Sequence, residues 1–304
     1  MEYFAPTALQ DAVDFLQQSG KAGVAIVAGA TDWFPARGDR PLHRPVMDIT
    51  KIAELQGIER TAQGWRFGAA ATWSDIVKAD LPSCFAGLKA AAREIGSVQI
   101  QNVATLAGNL CNASPAADGV PPLLTLDAAV EIASLSGVRS VPLTNFVLGV
   151  RQTALQPGEM VAAITVPALP TQFGEGVGCF IKIGARKYLV ISITMVAALV
   201  AVADGKITEA RVAVGACSAV AQRVPMLEAA LRGCTAAQVE AAICPAHLEM
   251  LSPISDMRGS ALYRADAAFE LCRRAVAGSV AGALAGALAG APDSAVQKGG
   301  IGHG

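Results

Sequence analysis

At 304 residues, 53% hydrophobic and 16% charged, the chain has room for two domains and an ample core, with apolar surface of the kind subunit contacts cover. A formal net charge of -1 argues against nucleic acid or an anionic membrane surface as a partner. Seven cysteines, none in a Cys-x-x-Cys pair, read as reduced thiols and argue against a zinc or iron–sulfur site held by this chain alone.

Met1-Glu2-Tyr3-Phe4 carries neither a basic region nor an apolar signal core, so the expected location is the cytoplasm. Thr7, after Pro6, is the expected cap of a helix with Leu9, Ala12, Val13 and Leu16 on one face, closed by Gly20. The strand Val24–Val27 then runs into Ala28-Gly29-Ala30-Thr31-Asp32-Trp33. No Gly-x-Gly-x-x-Gly follows it, which excludes a Rossmann fingerprint. The segment reads equally as a βα turn or as a ligand loop. Further strands are expected at Val46–Ile49 and Trp65–Ala69, with a turn or half-helix at Ile52–Leu55. Thr72 caps a helix through Val77, and Ser83–Ile95 has helical spacing.

Thr105 to Asp118 follows, built from small side chains, amides and hydroxyls. A loop of that composition leaves backbone N–H groups uncovered and lets a bulky ligand approach the main chain. Asp118 adds an acceptor at its far end. The pattern suits phosphate and hydroxyl groups together, as in a nucleotide cofactor; the alternative is an ordinary connection. Beyond it come a helical turn at Leu123–Leu126, strands at Ala129–Ala133 and Val138–Val141 joined by a Ser136-Gly137 hairpin, a turn at Asn145–Leu148 and a strand at Met160–Val166.

Pro167-Ala168-Leu169-Pro170 marks the expected domain boundary. Strands at Gly178–Ile183, Ile193–Ala203 and Ile207–Gly215 and helices near Val224–Arg232, Ala236–Ile243 and Ser260–Ala281 suit an antiparallel sheet backed by helices. The uncharged run Leu189–Ala203 is too short to span a bilayer and reads as a buried strand. The Ala/Gly tract Ala275–Ala291 reads as the fading end of a helix, and residues 291–304 as a flexible tail.

Three segments carry a family resemblance: Ala28-Gly29-Ala30-Thr31-Asp32; Gln99 through Asn109 with Asn112-Ala113-Ser114-Pro115 and Asp118; and Phe180-Ile181-Lys182-Ile183-Gly184-Ala185-Arg186-Lys187. In these the chain resembles the FAD-binding medium subunit of the molybdenum hydroxylases, the xanthine dehydrogenase and carbon monoxide dehydrogenase family. The resemblance implies an α+β fold: a two-lobed FAD-binding domain of the vanillyl-alcohol-oxidase (PCMH) type over residues 1–170, with lobes at about 1–55 and 56–170. A small domain of antiparallel sheet plus helices would occupy residues 171–290.

By the same resemblance, the FAD pyrophosphate is held through backbone N–H and hydroxyl groups of Ile26, Val27, Ala28, Gly29, Ala30, Thr31, Asp32 and Trp33, and of Thr105, Leu106, Ala107, Gly108 and Asn109. Asp118 accepts from a sugar or ribityl hydroxyl, Val161 touches the adenine side, and Lys182 lies along the cofactor. Ile95 sits near the flavin ring, and Tyr188 belongs to a loop that covers it. Two positions depart from the family: Ala30 and Ala107 replace glycines. A methyl there forbids little where φ is negative but narrows the space for phosphate. Cys111 reads as a small buried residue, the alternative being a thiol near the flavin. A further cluster-bearing insertion is not expected, because no cysteine-dense stretch is present.

The implied function is electron transfer. A partner carrying the molybdenum cofactor hydroxylates a purine or other N-heterocycle, and 2Fe-2S clusters of a small partner pass electrons to FAD. From there they go to NAD or another acceptor. The expected assembly is a heterotrimer or its dimer, without nucleic acid or membrane insertion. No catalytic side chain or metal ligand is expected in this chain, and His43, His247 and His303 read as surface residues. The rival readings are a stand-alone flavin oxidase or reductase and a FAD-less assembly subunit.

Overall fold

The computed structural model describes residues 2–20, 23–169, 173 and 176–289. The expected tail at 291–304, His303, and Pro170, Thr171 and Gln172 of the Pro-marked boundary lie outside these described residues. The first lobe is a three-stranded parallel sheet of β1 (Tyr3–Phe4), β2 (Ala25–Val27) and β3 (Val46–Asp48), ordered β1-β3-β2. Helix Leu9–Gln18 buries Ala12, Val13 and Leu16. Its N-cap is Ala8 without a side-chain bond, so the cap expected of Thr7 is not made; the Thr7 carbonyl instead accepts from Ala53 N–H.

The second lobe is an antiparallel sheet of β4 (Ile58–Thr61), β5 (Gly64–Gly68), β6 (Ala129–Ser134) and β7 (Gly137–Pro142), with a side hairpin β8 (Val147–Gly149)/β9 (Gln152–Thr153) and, at the centre, β10 (Met160–Pro167). Its order is β4-β5-β10-β6-β7, so β10 returns between strands that precede it by many residues. The edge strand β4 escapes sequence reading because Ile58-Glu59-Arg60-Thr61 offers only one large apolar side chain. Thr72 caps helix Trp73–Lys78 as expected, in a reciprocal box with Asp75.

The third sheet is antiparallel: β11 (Val177–Ile183), β12 (Thr194–Ala203), β13 (Lys206–Gly215) and β14 (Gln222–Arg223) in that order. Strand β12 is apolar almost throughout because both its faces are covered. Val196, Ala198 and Val200 face a core shared with Leu271, Cys272 and Val276 of helix Ala261–Ala289. Leu199 and Ala201 join the core of the first two lobes, while Met195 and Ala197 pack on Ala91 and Phe180. One period-2 strand thereby knits the C-terminal layer to the N-terminal one. It begins at Thr194 rather than Leu189, since Tyr188–Ser192 forms an exposed-to-buried approach to it. Among the described residues no helix is long and apolar enough to cross a membrane.

Candidate cofactor site

A cavity of about 310 Å³ opens where β2 ends. One wall is Ile26 through Trp33, and the other is built from Ala104, Thr105, Gly108, Asn109, Cys111 and Asn112, with Trp73, Ile95 and Ile100 closing the side. The two walls touch main chain to main chain at Gly29. Any side chain there would overlap the Val103 carbonyl and crowd the Ala104 nitrogen, so only glycine permits this approach. Helix Trp33–Arg37 then leads away from the site.

The segment expected to be a loop from Thr105 begins instead with a helix, Leu106–Asn112. The expectation of an open loop is corrected by a cap: Thr105 Oγ1 accepts from Gly108 N–H at 3.0 Å, which is what a buried threonine before Leu-x-Gly supplies. The same geometry commits backbone donors. Leu106 N–H goes to the Ala71 carbonyl and Asn109 N–H to that of Thr105. Leu106 and Ala107 point down into the core beside Val161 of β10, away from the cavity.

The two alanines differ. Ala30 lines the cavity with φ at +52°, the left-handed region that favours glycine. The negative φ under which its methyl would be harmless is therefore not what this position adopts. Ala107 lies inside the helix, 4% exposed, with its methyl in the core. It takes nothing from the cavity.

Asp118 and Lys182 meet outside the cavity walls. Lys182 Nζ donates to Asp118 Oδ2 at 2.6 Å and to the Val190 carbonyl, and Ser192 Oγ donates to Asp118 Oδ1. Both carboxylate oxygens thus have partners within the chain. Burial pushes the Asp118 carboxyl above its ordinary value, against the pull of Lys182 and Ser192. Tyr188 stands on the surface, 57% exposed, its ring 5.1 Å from Lys187 Nζ. Cys111 is exposed and lines the cavity, which corrects the expectation of a small buried residue.

Trp73, Ile100, Ala104 and Asn112 are cavity residues that sequence reasoning did not assign. The carrier is the bridge pairing Thr72 with Thr105, with Trp73 N–H bonded to the Ala104 carbonyl. Two capping threonines in one sequence signal two helix starts; nothing in it signals that they pair. Asp32 and Cys111 are the only titratable side chains on the walls among the described residues. The cavity is thus suited to holding a ligand rather than to moving protons. Among the described residues no three or more His, Cys, Asp or Glu side chains group as a metal site.

A two-lobed α/β domain with a small-residue cavity at one strand end, extended by an antiparallel sheet and a long helix, defines a nucleotide-cofactor carrier. Residues 1–169 match the family model described as the FAD binding domain in molybdopterin dehydrogenase. Residues 180–278 match the CO dehydrogenase flavoprotein C-terminal domain. The nicotine 6-hydroxylase medium subunit of Paenarthrobacter nicotinovorans is 32% identical over 280 residues, covering 91% of this chain and 96% of that one. The xanthine dehydrogenase FAD-binding subunit of Escherichia coli O157:H7 is also 32% identical, covering 88% and 90%. Carbon monoxide dehydrogenase from Hydrogenophaga pseudoflava superposes with a TM-score of 0.82 at 27% identity, covering 92% of this chain and 97% of that chain. The chain belongs to this family: it is a FAD-binding medium subunit of the molybdenum hydroxylases, an oxidoreductase component.

Proposed function

We propose that this chain holds FAD in the cavity between Ile26–Trp33 and Thr105–Asn112 and relays electrons within a complex that hydroxylates an N-heterocycle. The observation that carries the reading is the main-chain contact at Gly29, which turns two small-residue segments distant in sequence into one ligand wall. Bound there, FAD supplies two-electron storage between one-electron donors and an acceptor. The chain's own residues position and shield. Gly29 lets the two walls meet main chain to main chain, and Thr31 and Asn109 offer a hydroxyl and an amide on opposite walls. Asn109 Oδ1 takes the Gly119 N–H, which turns its NH2 outward from that contact. Trp73, Ile95 and Ile100 exclude water from the side. Leu106, Ala107 and Val161 support the second wall from beneath, and the Asp118–Lys182 pair braces β11 against it.

The donors are the 2Fe-2S clusters of a small partner subunit, and a large partner carries the molybdenum cofactor; NAD is the first acceptor to try. The N-heterocycle is favoured because relatives are named for nicotine, xanthine and quinoline. The paucity of titratable groups on the walls favours a relay over a stand-alone oxidase. The test is a visible spectrum of the purified complex before and after acid release of flavin. Releasable FAD with iron–sulfur absorption from co-purifying chains is expected. A colourless chain would leave a scaffold role, and flavin without partners or iron would favour the stand-alone oxidase.

A further inference from the structure

A cavity of about 280 Å³ lies in the C-terminal layer and shares no wall residue with the cofactor cavity. Three elements enclose it. Helix Ala261–Ala289 presents Ala265, Asp266 and Phe269, and a strap running from Pro245 to Pro253 presents Leu248, Glu249 and Leu251. Cys217, just past β13, is the fully buried floor; its thiol donates to the Arg264 carbonyl and lies 3.4 Å from Thr194 Oγ1. The strap is fixed without any ligand. It opens on a short 3-10 helix, Pro245–Leu248; Leu251 N–H then donates to the Leu248 carbonyl and Ser252 N–H to Ser218 Oγ at 3.1 Å. Prolines at both ends remove further backbone freedom. The walls are therefore preformed, and the volume sits at the small end of ligand sites, which span about 300–1,000 Å³.

The charged groups of this cavity are two carboxylates, Glu249 and Asp266, both exposed at its mouth. Among the described residues from β11 onward, Glu209, Glu228, Glu240, Asp256 and Glu270 all have arginine partners. Apart from Asp204 in the β12–β13 turn, the unpaired anions of this layer both line the one small cavity. The cations nearby are committed elsewhere. Arg264, two residues before Asp266, donates to the Ile193 and Ala216 carbonyls and to Asp256. Arg273, whose guanidinium carbon is 5.8 Å from the Phe269 ring centroid, pairs with Glu240 and Glu270. His247 Nδ1 accepts the Cys244 N–H, and the ring is not part of the cavity wall. Like charges around one apolar cavity repel, and a cation entering it relieves them.

We propose that this cavity binds a small apolar amine in its ammonium form, with Leu248, Leu251 and Phe269 around the hydrocarbon body and Glu249 and Asp266 accepting its N–H donors. An ammonium carries three donors and no acceptor, and an ionised carboxylate only accepts, so the two anions share one head group. A neutral molecule of the same shape gains the walls but not the charges, and an acid meets charge of its own sign. A bare inorganic cation keeps its water and gains nothing from the apolar walls. The site is independent of the flavin assignment.

The test uses the full chain, in its complex where partners co-purify. Benzylamine, benzyl alcohol, benzoate and magnesium are titrated separately by calorimetry into the wild type, Glu249→Gln/Asp266→Asn and Ala265→Phe. The substituted side chains are exposed, and the two carboxylates have no protein partner, so all three proteins should fold with equal acid-released flavin. Benzylamine should bind the wild type with a Kd on the order of millimolar or tighter. Loss of both carboxylates should weaken it about tenfold, and Ala265→Phe, which fills the mouth, should abolish it. Benzyl alcohol should bind the wild type and the carboxylate variant alike. Benzylamine binding that is absent, indifferent to both variants or matched by benzoate overturns the proposal. So does an equal response to magnesium, which would mark an ion site only. Flavin lost from the folded carboxylate variant would tie the cavity to the cofactor and overturn it as a separate site.

Discussion

Ala30→Gly and Ala107→Gly make the same chemical change and should move stability in opposite directions. Ala30 holds φ at +52°, where a Cβ costs about 1–2 kcal/mol. Glycine removes that cost but adds unfolded-chain entropy of about 0.4–1 kcal/mol. The net expectation is a gain of about 0.5–1 kcal/mol. Ala107 is helical and 4% exposed. Glycine there loses about 1 kcal/mol of helix propensity and about 0.8 kcal/mol of buried methyl, a loss of about 2 kcal/mol. Thermal denaturation of the full chain should separate the variants by several degrees, at about 2 °C per kcal/mol for a large domain. Flavin content per chain should hold or rise in Ala30→Gly, whose methyl lines the cavity. A shift of both melting temperatures in the same direction would refute the conformational argument.

Gly29→Ala should sharply reduce flavin content, and overpacking against the Val103 carbonyl should destabilise the chain by about 1–3 kcal/mol; acid-released flavin and a melting curve read both. Lys182→Met leaves the buried Asp118 carboxylate without its cation and should cost about 3–5 kcal/mol, with Asp118→Asn/Lys182→Met recovering much of it. An uncompensated loss in the double variant would show that the lysine acts by another route. Asp256 is held down at about 2 by the Arg258 backbone N–H and the Arg264 guanidinium. A depressed carboxylate stabilises the fold above its ordinary value of 3.8 and loses that contribution as pH falls towards 2. Asp256→Asn should therefore flatten the acid limb of a pH–stability curve between about 4 and 2, and an unchanged limb would count against the link.

Elements whose burial is one-sided were readable in the sequence. Helix Leu9–Gln18 shows its face through Ala12, Val13 and Leu16, and the hairpin β6/β7 turns at Leu135-Ser136, one residue before the expected Ser136-Gly137. Elements fixed by long-range pairing were less so. Strand β4 has little apolar signal and exists because β5 lies beside it. The helix Leu106–Asn112 hides in Leu-Ala-Gly-Asn-Leu-Cys-Asn, where glycine and asparagine argue for a loop and only the Thr105 cap and core contacts of Leu106 and Leu110 argue against it. Tertiary burial overrides propensity there.

The site divides along the same line. Residues that build the cavity through backbone shape are small, and small residues in a row are conspicuous: Ala28, Gly29, Ala30 and Gly108 all stand on or beside its walls. Residues that act through side chains need partners the sequence does not name. Asp118 and Lys182 read as two separate cofactor groups, yet each is the other's nearest counter-charge across 64 positions. A glycine reports its own geometry, because no other residue tolerates it; a charge reports only that a partner is required. The Gly29 contact is accordingly the firmest ground for the flavin assignment, while the charged residues around it call for binding measurements.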